Sequence, residues 1–243
     1  MKHILSLIFL VATLIGIYLI YNFGRAYWHP LYIKVAGART VEDVVQTYGE
    51  EARNRMVPYF EAAGSSYPPG SVALIAIKEE ATLELWDTSA ANPVFIRKYS
   101  VLAQSGVAGP KLREGDMQVP EGIYRIEYLN PNSSYHLSMK LNYPNDFDLT
   151  HARAEGRSEP GTNIFIHGKA VSIGCLAMGD EVAEELFVLA SDIGHRNIDV
   201  AIAPKDPRKE QLQPISELPW TEELYQDLTA YFAPFVEKRS AEL

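Results

Sequence analysis

Residues 166–175 read Ile166-His167-Gly168-Lys169-Ala170-Val171-Ser172-Ile173-Gly174-Cys175, and they hold the only cysteine of the 243-residue chain. The β-branched, apolar run 162–166 just before them predicts a strand that ends at His167-Gly168. If 172–175 returns beside 164–167 after a short loop, backbones about 5 Å apart let an imidazole and a thiol meet. A histidine beside a cysteine favours loss of the thiol proton near neutral pH, and the thiolate is the nucleophile. Gly174 lets a carbonyl approach the backbone, and N–H groups around Gly174 and Cys175 are the expected donors to a tetrahedral oxyanion. A lone cysteine in an apolar run is also a common small buried hydrophobe. Its coincidence with a histidine, each next to a glycine, favours chemistry over packing.

Outward from this stretch the chain reads as α+β, mainly β. Strands are predicted at 72–77, 82–86, 94–101, 122–128, 137–141 and 198–202 from short β-branched and apolar runs. The segment 106–120, rich in Gly, Pro and charge, reads as a surface loop. Thr40 and Asp43 fit a capping arrangement for a helix carrying Val41, Val44, Val45, Tyr48 and Ala52, bounded by Pro58 and Gly64. A second helix is expected at 180–193, with Val182, Leu186, Leu189, Ala190 and Ile193 on one face and Gly194 as its stop. A third follows Pro219, with Leu224, Leu228, Phe232 and Phe235 on its apolar side. The expected organisation is an anchor over 1–25, a helical segment over 26–67, a catalytic domain over 68–205 and a helical tail over 206–243.

Composition narrows the function classes. With 22 basic and 31 acidic residues the net charge is −9, which leaves no electrostatic footprint for nucleic acid. One cysteine supplies neither an internal disulfide nor a multi-cysteine zinc site. The six histidines show no metal-ligand spacing, so no metal or organic cofactor is indicated. At the N-terminus, Met1-Lys2-His3 leads into residues free of charge until Arg25. Residues 4–24 as a helix would cover roughly 30 Å, the thickness of bilayer hydrocarbon. A transmembrane anchor is therefore expected, flanked by an aromatic belt of Tyr18, Tyr21, Tyr27 and Trp28. A cleaved signal peptide is the alternative, although Gly24-Arg25-Ala26 is a poor cleavage site. Either reading exports the rest of the chain, where a sole thiol has no internal partner to be lost to.

The segment Ile166-His167-Gly168 followed by Ser172-Ile173-Gly174-Cys175-Leu176-Ala177-Met178 resembles the active-site signature of L,D-transpeptidase catalytic domains, the YkuD family, and is closest to its YafK-like branch. Three more stretches share the resemblance: 111–116, 120–124 and 136–144, so that it extends over roughly 68–204. It implies a β-sandwich-like catalytic fold with flanking helices, acting on peptidoglycan stem peptides outside the cytoplasm at the inner membrane. Cys175 matches the nucleophile that attacks the diamino-acid carbonyl, D-alanine leaves, and the thioester passes to an amine. His167 matches the general base, and Gly168, Ser172 and Gly174 match positions that shape the pocket.

The chain departs from the family where many members carry a second histidine, because Ile173 stands there, and again at Ala177. The His-to-Cys spacing is also shorter. His136 and His151 are candidates to replace the missing imidazole, and Lys140, with Lys111, Arg113 and Lys169, could meet stem-peptide carboxylates. Asn132-Ser133-Ser134 fits a glycosylation sequon but reads as a polar turn after Asn130-Pro131. Two alternatives stay open: an amidase or endopeptidase that hydrolyses cross-links with the same pair of residues, and an inactive wall-binding module.

Overall fold

The computed structural model describes residues 2–236. Its centre is strand β1 (Val72–Ile77), a run of six residues that are all buried. A strand reads as continuously apolar when both faces of its sheet are covered. Here Val72, Leu74 and Ala76 face a core shared with helices α3 (Val41–Ala62) and α5 (Asp180–Ile193). Ala73, Ile75 and Ile77 face a second core with Trp86 and helix α6 (Thr221–Phe232).

Around β1 lie β2 (Thr82–Asp87), β3 (Val94–Ser100), β4 (Gly122–Asn130), β5 (Ser138–Leu141), β6 (Phe165–His167), β7 (Leu176–Ala177) and β8 (Ile198–Ala203). They form one mixed eight-stranded sheet in the order β3-β2-β1-β8-β4-β5-β6-β7. The expected β-sandwich is therefore corrected to a single sheet with helices on both faces. Strand β4 explains how one sheet does the work of two. Its first half, from Gly122 to Arg125, pairs with β8, and its second half, from Ile126 on, pairs with β5 across a register shift between Ile126 and Tyr128. A bulge at that point bends a strand and lets it serve two arms.

The predicted helices form, with differences at their edges. Thr40 and Asp43 make a reciprocal capping box at the start of α3. Pro58 lies inside α3 rather than ending it. It sits on the exposed side, so the carbonyl freed by its missing N–H can face water while Met56 and Phe60 pack in the core. Helices α2 (Arg25–Ala36) and α4 (Asp146–Ala154) complete the set; α4 starts from an Asn145–Asp148 capping box where only a turn was expected. The 106–120 segment is not a free surface loop. Buried Lys78 donates to Gly109 O at 2.9 Å, to Val119 O at 3.0 Å and to Glu121 at 2.8 Å, while Tyr225 of α6 donates to the other Glu121 oxygen. This buried pair ties sheet, loop and tail helix together.

The N-terminal helix α1 (Lys2–Phe23) is apolar and exposed, with Phe9 at 75% and Ile4 at 65%. Among the described residues, however, no helix is long and apolar enough to cross a membrane. The expected transmembrane anchor is therefore not supported by the structure.

Candidate active site

His167 ends the three-residue strand β6, wedged between Ser138 of β5 and Ala177 of β7. It is almost fully buried, at 3% exposure. Its Nδ1 lies 2.5 Å from Gly168 O; since a carbonyl only accepts, Nδ1 carries the proton and Nε2 holds the free lone pair. Burial holds the imidazole below its ordinary pKa, with the Gly168 contact opposing, so the ring is neutral near pH 7. The Tyr135 ring tilts against it at 4.8 Å. Gly168 must lack a side chain, because a Cβ there would lie 2.7 Å from Asp180 Oδ1 and 2.8 Å from Tyr135 O.

Cys175 sits at the end of a tight turn built on Ser172. The Ser172 hydroxyl accepts from Gly174 N at 3.2 Å and Cys175 N at 3.0 Å, and donates to Cys175 O at 2.7 Å. Gly174 takes φ +125°, a backbone conformation closed to residues with a side chain. These bonds correct the expected oxyanion hole, since both N–H groups are already satisfied by Ser172 Oγ. Ser172 thus fixes the turn that carries Cys175 and also lines the cavity.

The ladder joining the two residues is parallel, with Ile166 opposite Leu176 and His167 opposite Ala177. Cys175 therefore precedes β7 and stands one diagonal step from His167. Both line a cavity of about 320 Å³. Among the described residues no hydrogen bond joins them; the thiol leans on Asn163 O at 3.8 Å, and Nε2 has no protein partner. Burial pushes the Cys175 thiol up, opposed by the Phe165 main chain and the Lys111 charge. The expectation of a thiolate at neutral pH is corrected accordingly. Both shifts favour a neutral thiol beside a neutral imidazole.

The remaining candidates lie elsewhere. His136 bonds Glu184 of α5 at 2.8 Å and packs edge-on to Tyr48, outside the cavity. His151 of α4 stacks on Trp220 at 4.9 Å. Lys140 pairs with Glu127 at 2.8 Å, Lys111 with Asp116 and Lys169 with Asp180, both at 2.5 Å; Arg113 is exposed. None of these lines the cavity, whose described walls hold no Lys, Arg, Asp or Glu. Ile173 stands at its mouth with 73% exposure, where the missing histidine was sought. The walls come instead from Tyr135, Ser138, Asn163 and Phe165, which composition and periodicity did not single out. Among the described residues no group of His, Cys, Asp and Glu is arranged to hold a metal.

The family described as YkuD, L,D-transpeptidase catalytic domain, matches residues 72–198, just over half of the chain. The chain belongs to the YkuD family. The match runs from β1 to the start of β8 and includes both Cys175 and His167. Outside the family description, the chain is 34% identical over 141 residues to YafK of Escherichia coli (strain K12), itself only provisionally named as an L,D-transpeptidase. That alignment takes in 56% of this chain and 55% of YafK, so the chain spans about half the length of this curated relative. Among solved structures it is similar to Pgp2 of Campylobacter jejuni, a helical cell shape determining protein. The TM-score is 0.45 at 15% identity, over 70% of this chain and 71% of that one. Bd1075 of Bdellovibrio bacteriovorus gives a TM-score of 0.41 at 20% identity, over 67% and 56% of the two chains.

Proposed function

We propose that this YkuD domain is a cysteine acyltransferase acting on peptidoglycan stem peptides outside the cytoplasm. The observation that carries the reading is one cavity shared by the Cys175 thiol and the unpartnered Nε2 of His167, with Nδ1 held by Gly168 O. Sulfur forms a bond to the diamino-acid carbonyl carbon while His167 Nε2 takes the thiol proton. The tetrahedral intermediate collapses as the same imidazole protonates the departing amine, leaving a thioester on Cys175. An incoming amine then gives its proton to Nε2 as it attacks the thioester, and the thiol is regenerated.

Incubation of the protein with disaccharide tetrapeptides, followed by identification of the products, tests this reading. New cross-links that vanish with Cys175→Ala are expected; full activity of that variant would refute it. Hydrolysis is the second reading. The described walls of the cavity hold no cation to receive the terminal carboxylate of a tetrapeptide, which suits an internal amide bond equally well. Loss of existing cross-links from dimeric muropeptides, again dependent on Cys175, would favour it. An inactive wall-binding module predicts neither product and no acyl adduct.

Membrane association through α1 belongs to the same reading and is supported by its exposed apolar side chains, among them Ile4, Phe9 and Ile15. Release of the protein from vesicles on deletion of residues 2–23 is the expected result; unchanged binding would contradict it.

A further inference from the structure

The loop between β4 and β5 supplies a wall of the cavity through Ser133, Ser134 and Tyr135. It carries little regular structure of its own, and His136 within it takes φ +74°, a conformation that needs outside support. That support comes from a segment well outside the family match. Arg39, between α2 and α3, donates its main-chain N–H to Asn132 Oδ1 at 2.8 Å, and its carbonyl accepts from Asn132 Nδ2 at 2.8 Å. Its guanidinium Nη2 donates to Pro131 O at 2.5 Å and, at 3.5 Å, approaches His136 O. Helix α3 then adds Tyr48 against the His136 ring. Beyond these grips, Tyr135 is the loop residue that meets the His167 imidazole.

We infer that Arg39 and its partner Asn132 are positioning residues for substrate binding, acting through the 131–136 wall of the cavity. This rests on the reading of Cys175 and His167 as the reacting pair. The side chain of Arg39 touches neither, so its effect falls on the shape of the wall and not on the chemistry of the thiol. A charged hydrogen bond to a main-chain carbonyl pre-sets the loop, and without it the substrate must order that loop on binding.

The test compares the full chain with Arg39→Ala, Arg39→Lys and Asn132→Ala, using disaccharide tetrapeptide or dimeric muropeptide turnover and alkylation of Cys175 by iodoacetamide. Arg39→Ala is expected to raise KM about tenfold, the equivalent of one charged hydrogen bond, with kcat within about threefold. Arg39→Lys should recover part of the loss, and combining Arg39→Ala with Asn132→Ala should cost less than the product of the two single effects. Alkylation of Cys175 should stay within about twofold in all variants. Hydrogen exchange should show deprotection confined to 131–137. Turnover by the unaltered protein with an unchanged KM for Arg39→Ala, or exchange unchanged in that loop, would overturn the inference alone. No turnover of either substrate by the unaltered protein would overturn the catalytic reading and this inference with it.

Discussion

The two arms that meet at β4 are built on different principles. In the arm of β1, β2, β3 and β8, strands of six or seven residues pair in long registers, and β1 is buried on both faces. In the arm of β5, β6 and β7 the strands have four, three and two residues. The second arm shares the apolar core through Met139, Leu141, Ile166 and Leu176, and the loops beside its cavity are held in addition by side-chain bonds to main chain: Ser172 to the turn before Cys175, Asp180 to Lys169 N, and Asn132 to Arg39. Both arms bury apolar side chains, and the second adds polar bonds that fix its short strands and loops around the cavity. Under the proposed function the Cys175 thiol needs those added bonds, because polar groups must stop at the cavity and stay pointed into it.

That contrast can be broken from either side. The largest effect should come from His167→Ala, which removes the one imidazole among the described cavity walls and should lower kcat by about 10²–10⁴-fold per folded molecule. Ile75→Ala attacks the other arm. A cavity in the second core should cost about 2–5 kcal/mol in urea unfolding, with turnover per folded molecule preserved. A loss of kcat comparable to that of His167→Ala, with stability intact, would show that the arms are not separable. Ser172→Ala should lower kcat about tenfold, since two N–H groups lose their acceptor and the nucleophile turn loosens. Its melting temperature should barely move, and an unchanged rate would remove Ser172 from the account.

A subtler test concerns protons. Burial raises the thiol pKa above its ordinary value and lowers that of the imidazole, so protonated sulfur and unprotonated nitrogen coexist across the neutral range. Alkylation of Cys175 should then rise about tenfold per pH unit from pH 6 to beyond 8. A plateau reached by pH 7 would instead reveal a preformed thiolate–imidazolium pair.

The same contrast decides what could be read in the sequence. The strands and helices of the packed region have periodic apolar residues, so β1, α5 and the Thr40–Asp43 cap of α3 form where periodicity and capping residues put them. Cys175 and His167 were legible as a pair because the cysteine is unique and both residues adjoin glycines. The cavity walls were not. Among the wall residues Asn163 sits at positive φ, as do His136 and Lys169 just outside the walls, and two-residue β7 is too short for any pattern. Long-range contacts were equally silent: nothing local to His136, His151 or Lys140 shows that they pair with Glu184, Trp220 and Glu127 rather than with substrate. The doubling of β4 between two arms, which replaces a sandwich by one sheet, is likewise a property of pairing and not of the strand's own residues.

The most direct measurement is intact-protein and peptide mass spectrometry after brief mixing with disaccharide tetrapeptide and acid quenching. The account predicts an acyl adduct on the peptide containing Cys175, with one amine leaving group lost, that is absent in Cys175→Ala and accumulates more slowly in His167→Ala. Turnover of the muropeptide with no adduct on Cys175, and with Cys175→Ala as active as the unaltered protein, would contradict it.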